Sequence, residues 1–141
     1  MIQELNFLNL AENPFLDNED NDLFCKEVFS LLATTENKIQ LQGGNDKEII
    51  QRSIQLSKET IDHIKVTPKL GRLLVYREHE IEAVLIHVNE IFSNLDKVLD
   101  LTKYSSGYGD FILVGEDLDF GLCIERTEYF HEFTVWGLLM K

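Results

Sequence analysis

Apolar residues recur along this chain at two different intervals, three-to-four in its first two thirds and two near its end. The first seventeen residues follow neither interval and hold Pro14, which predicts a partly ordered arm over 1–17 whose Phe7, Leu8, Leu10 and Phe15 dock on the body. Phe24, Val28, Leu31 and Leu32 then predict a helix over 19–34, with Asp20 and Asp22 at the positive end of its dipole. Ile39 to Gln42 alternates and runs into Gly43-Gly44, the pattern of a brief strand and a turn. A second helix starts at Asn45, a capping residue followed three positions later by Glu48. Its apolar face is Ile50, Ile54, Ile61 and Ile64, and Pro68 lies just past its end. Leu70 to Arg77 has strand character. From His79 to Leu101, Ile81, Val84, Leu85, Val88, Ile91, Phe92, Leu95 and Val98 repeat every three or four residues without Gly or Pro. The spacing predicts one long core helix; a coiled-coil seam has the same spacing but needs a longer run.

After the turn-rich 105–109, the interval becomes two. Segments 111–115, 119–126 and 131–138 predict three strands; Phe120, Leu122 and Ile124 face one way, with Gly121, Cys123 and Glu125 facing the other. Short links favour an antiparallel meander. The expected fold is α+β, with three main helices on one face of a small, mostly antiparallel sheet that ends in this meander.

A length of 141 residues with 44% apolar side chains suits one domain, 1–141, with a single core and excludes a disordered chain. No signal-like start and no membrane-length apolar run occurs, so a cytosolic location is expected. Cys25 and Cys123 both sit in apolar segments. A disulfide is open to them on spacing, but free buried thiols are the expectation.

The formal charge of −12 argues against a chain that grips nucleic acid directly or lies on an anionic membrane. It is concentrated. Residues 1–22 carry six acids and no base. Residues 110–132 carry Asp110, Glu116, Asp117, Asp119, Glu125, Glu128 and Glu132 against Arg126 alone. Such runs serve solubility in many proteins. Here Phe120, Tyr129, Phe130 and Trp136 are interleaved with the second run, and aromatic anchors in a charged rim suit a protein interface. Phe120 and Trp136 are read as core, Tyr129 and Phe130 as an exposed pair. The partner-binding residues expected on this basis are Asp110, Glu116, Asp117, Asp119, Glu125, Glu128, Tyr129, Phe130 and Glu132, joined by Asp20 and Asp22 of the first run.

Catalytic signals are sparse. His63, His79, His87 and His131 show no zinc-site spacing, and no nucleophile elbow or phosphate loop is present. Asp117 and Asp119 lack the rest of a calcium loop. No enzyme activity, cofactor or metal is expected. The alternative is a small enzyme or ligand-binding domain whose pocket lies between the long helix and the sheet and uses His87 or His131. A third reading is an acidic adaptor that mimics nucleic acid.

The segment from Asp110 to Ile124, a strand, an acidic turn, an aromatic and a second apolar strand, followed by a returning strand from His131 to Trp136, resembles the C-terminal meander of small immunity proteins from bacterial toxin systems. The resemblance implies a cytosolic, non-catalytic inhibitor that neutralises a cognate toxin by covering an essential surface. Together with the charge map it gives the expected partner, a basic protein toxin such as a nuclease.

Overall fold

The computed structural model describes residues 8, 10–36, 38–77, 80–127 and 129–140. Helix α1 spans Asn18–Thr34 and begins where the Asp20 N–H donates to the Asp17 carboxylate at 2.8 Å. Strand β1 is Lys38–Leu41. Helix α2, Asp46–Asp62, starts at the expected cap, the Glu48 N–H donating to Asn45 Oδ1 at 2.9 Å, and Ile50, Ile54 and Ile61 pack into the core. A short β2, Ile64–Val66, leads to β3, Leu70–Arg77.

The expected long helix is two different things. Glu80–His87 is strand β4, paired residue for residue with β3, while Val88–Ser93 and Leu95–Leu101 form short helices α3 and α4. His79 lies outside the described residues. The helical spacing misleads because β4 is apolar on both faces. Ala83 packs on the α1 side while Val84 and Ile86 enter the opposite core, and a strand buried on both sides has a continuous apolar run that periodicity cannot tell from a helix. The three expected helices are therefore four among the described residues.

Strands β5 (Phe111–Val114), β6 (Gly121–Arg126) and β7 (His131–Trp136) form the expected antiparallel meander. With the β3–β4 hairpin and β1 they make a six-stranded antiparallel sheet ordered β1-β7-β6-β5-β3-β4. Leu139–Met140, β8, pairs with β2 in a separate ribbon. The helices occupy both faces, not one. Val28 and Leu32 of α1 pack on Leu74, Ala83, Ile112, Val114 and Cys123, while α2, α3 and α4 pack on Leu73, Val84, Phe111, Leu113, Leu122 and Ile124. Apolar positions on both sides of the strands leave no face that water could cover cheaply. Both cysteines are free thiols; Cys123 is buried, and burial pushes its thiol above the usual range.

The outer edge of β4 is covered by Leu10 and Pro14. Leu8 is buried in the core, Leu10 bridges Ile86, and the Leu85 N–H donates to Pro14 O at 2.9 Å; Phe7 lies outside the described residues. Farther along, the Asn21 side chain of α1 donates to Ile81 O at 2.7 Å and accepts from the Ala83 N–H at 2.9 Å, taking the place of a seventh strand. Asn21→Ala is expected to cost about 1–3 kcal/mol, because Ala83 and Ile81 lose their partners. Urea unfolding of the two proteins checks it.

Candidate functional site

The turn between β5 and β6 carries three of the expected partner-binding acids, and the surrounding chain holds it rigidly. The Gly115 N–H donates to Phe120 O at 2.9 Å and the Leu118 N–H to Gly115 O at 3.0 Å, with Leu118 itself at a positive φ of 57°. From β7, the Trp136 indole N–H donates to Leu118 O at 3.0 Å. The indole lies flat over Gly121, where any β-carbon would collide with its ring. Glycine at 121 and tryptophan at 136 are thus one feature, a lid over β6 that reaches the turn. Phe120 is buried and Trp136 half-buried, close to the core reading made for both. Glu116, Asp117 and Asp119 are left exposed on the turn.

Glu116 and Asp117 face α1. On that helix Asp20, Leu23, Phe24 and Glu27 fall at intervals of three and four and so form one stripe. Stripe, turn and Leu16 enclose a groove of about 280 Å³ lined by four carboxylates, three apolar side chains and one base, Arg72. Leu23 is 56% exposed at its side. Arg72 is committed elsewhere. Its guanidinium is almost fully buried, donates to Ala83 O at 2.8 Å and Pro14 O at 3.2 Å, stands 5.8 Å from the centre of the Phe24 ring, and approaches Glu116 only to 3.8 Å. Burial pushes Arg72 below its ordinary pKa, while Glu116 works the other way. At the helix start, Asp17 pushes the Asp20 carboxyl up, as expected where like charges crowd. Formal charge in the groove is strongly negative.

The other expected residues lie elsewhere. Asp22 sits on the next stripe of α1 and lines a separate recess with Cys25, Lys26, Phe29, Glu80 and Ile81. Asp110, Glu125 and Glu132 are at the far end of β6, roughly 20 Å along a six-residue strand from the turn. Glu125 and Glu132 face each other across β6 and β7 and share Lys38, whose ammonium is 3.6 and 3.8 Å from them. Burial pushes the Glu125 and Asp110 carboxyls up; Lys38 opposes this at Glu125, and the Arg126 N–H donating to Asp110 at 2.8 Å opposes it at Asp110. Tyr129 is 78% exposed at that same end, whereas Phe130 is half-buried rather than exposed. Glu128 lies outside the described residues. Among the described residues the acids of 110–132 therefore divide between the two ends of the sheet, and Glu116 and Asp117 are the ones that meet α1.

At the far end, under the exposed surface, five polar side chains from distant parts of the chain join. Ser53 of α2 touches the Tyr104 hydroxyl at 2.5 Å, which touches His131 Nδ1 at 2.8 Å. His131 Nε2 lies 3.2 Å from Asp46 Oδ1 and 3.3 Å from Arg126 Nη1. Arg126 also donates to Tyr104 O, to Gly109 O at 3.1 Å and to Asp46 at 3.2 Å, with its guanidinium 4.9 Å from the centre of the Tyr104 ring. Burial pushes Tyr104 up to about 12, and burial with Arg126 pushes His131 down. Ser53 and Tyr104 are fully buried and His131 nearly so, whereas the Asp46 side chain is 61% exposed. His87 stands apart, at the start of α3. The pocket expected beside a long helix has no long helix to lie beside, and neither His87 nor His131 lines the recess at Asp22 or the groove at Asp20. Among the described residues, no three His, Cys, Asp or Glu side chains are grouped to hold a metal ion, and no helix is long and apolar enough to cross a membrane.

A family model described as "YxiF protein" matches residues 1–136. The chain belongs to the YxiF family. No curated protein and no solved structure matches it. The YxiF match includes α1, the β5–β6 turn and the buried cluster, so both features lie inside the family's span.

Sequence reasoning missed Glu27, Leu23 and Arg72 at the groove. The stripe of Asp20, Leu23, Phe24 and Glu27 was there to find, because the residues share one helix face. Arg72 gave no signal, nor did the cluster, whose members are brought together only by the tertiary fold.

Proposed function

We propose that this chain is a cytosolic, non-catalytic binding protein that neutralises a basic protein toxin, and that its groove between α1 and the β5–β6 turn takes the partner's lysine or arginine side chains. One observation carries the reading: Asp20 and Glu27 of α1 and Glu116 and Asp117 of the β5–β6 turn, far apart in sequence, line one groove beside the exposed Leu23. Carboxylates around an apolar centre attract a cationic partner over distance and give it something to bury on arrival. The resemblance of the meander to bacterial immunity proteins supports the same class of partner.

Capture from the producing cells tests this, with tagged wild type and with Asp20→Lys/Glu116→Lys/Asp117→Lys. A basic protein held by the wild type, lost from the variant, and toxic unless the chain is co-expressed is the expected result. Equal recovery on both proteins, or toxicity that the chain does not relieve, overturns the proposal. The far-end acids Glu125 and Glu132, already engaged with Lys38, are expected to contribute little to association.

A further inference from the structure

The contacts of the buried cluster fit one consistent arrangement of its protons. Ser53 has one hydroxyl proton, and it is donated to Ile50 O at 2.7 Å, an atom that can only accept. With that proton on Ile50 O, Ser53 accepts from Tyr104, whose single proton is then engaged in that contact. Tyr104 then has only lone pairs to offer His131, so the 2.8 Å contact requires a proton on His131 Nδ1. In the neutral ring Nε2 is left as an acceptor, matched by Arg126 Nη1 at 3.3 Å, while Asp46 Oδ1 at 3.2 Å faces it without a proton between them. Adding a proton to Nε2 reverses both relations: the ring now donates to Asp46 and repels the guanidinium.

We propose that Ser53, acting through Tyr104, holds neutral His131 in its Nδ1–H tautomer, so that acidification switches Nε2 from accepting Arg126 to donating to Asp46. Ser53 and Tyr104 are positioning residues in this device. Its location gives it leverage, because Asp46 opens α2, Tyr104 lies in the loop after α4, Arg126 ends β6, and His131 begins β7. Exchange of partners at Nε2 thus reworks the joint between α2 and the far end of the sheet, beside the exposed Tyr108 and Tyr129. The groups that face or influence the ring are Asp46 from α2, Tyr104 from the loop, Asp110 before β5 and Arg126 from β6; β1 places only Leu41 opposite it. Burial and Arg126 favour the neutral ring, so His131 titrates below its ordinary value near 6.5. A histidine depressed in the folded state stabilises the fold above the unfolded value. That contribution is lost as pH falls below about 6.5 toward the lowered native value.

Imidazole nitrogen NMR of the full chain tests the proposal. The wild type at neutral pH is expected to show a protonated Nδ1 and an unprotonated Nε2 for His131. In Ser53→Ala the Tyr104 hydroxyl is free to donate to Nδ1, and the proton is expected to move to Nε2. Asp46→Asn, at an exposed position, is expected to lower the His131 pKa further. An Nε2–H tautomer in the wild type overturns the proposal without any variant. So does a tautomer that Ser53→Ala leaves unchanged, or a His131 that titrates at or above 6.5.

Discussion

Arg126→Ala is expected to destabilise the protein by about 3–5 kcal/mol, the largest effect of any single change outside the apolar core. The side chain bridges three segments, donating to Tyr104 O, to Gly109 O and to Asp46 while covering the Tyr104 ring. Truncation leaves two carbonyls without a charged donor, each bond of this type contributing about 1.5–3 kcal/mol. The Asp46 pair adds little, because that carboxylate is 61% exposed and water screens it. Arg126→Lys is expected to recover only a small part, since one ammonium cannot reach two carbonyls and a carboxylate in the geometry of a planar fork. Urea unfolding of both variants gives the numbers. A loss within 1 kcal/mol for Arg126→Ala would show that the loop at 102–110 is held by something else.

Trp136→Ala is the second large effect, a loss of about 2–4 kcal/mol. The partly buried indole covers Gly121, and its N–H holds Leu118 O. The consequence of interest is local. Without the indole the β5–β6 turn loses its hydrogen bond to β7, so the Leu118 amide should exchange with solvent faster, and the groove acids should lose their fixed positions. Trp136→Phe separates the two contributions, keeping the cover over Gly121 while removing the N–H, at a cost near 1 kcal/mol. Unaltered exchange at Leu118 in Trp136→Ala would mean that the turn is rigid without β7.

Legibility in the sequence followed the range of the interactions. The cap at Asn45 is local chemistry, and the β5–β6–β7 meander shows in its short apolar runs and the turns between them. Strand β4 failed for the opposite reason. Ile81, Val84, Leu85 and Val88 fit a helix as well as a strand, and only pairing with Leu70–Arg77 decides between them. The same limit governs the site. Acids counted along 110–132 look contiguous, yet each strand of the meander moves the chain to the other end of the sheet, separating Glu116 and Asp117 from Asp110, Glu125 and Glu132. What brings Asp20 and Glu27 to the first pair is the seating of α1 on Leu74, Ala83 and Ile112, a contact no window of sequence contains.

Association kinetics with the captured partner test the central claim most directly. Glu116→Lys/Asp117→Lys is compared with Asp62→Lys/Asp96→Lys, a pair of equal charge at exposed positions on α2 and α4. With the groove reversed, the association rate at low salt is predicted to fall about tenfold or more and to lose most of its salt dependence, whereas the control pair changes it only about twofold. Equal slowing by both pairs would reduce the effect to net charge, and no slowing by either would leave the groove without a role in binding.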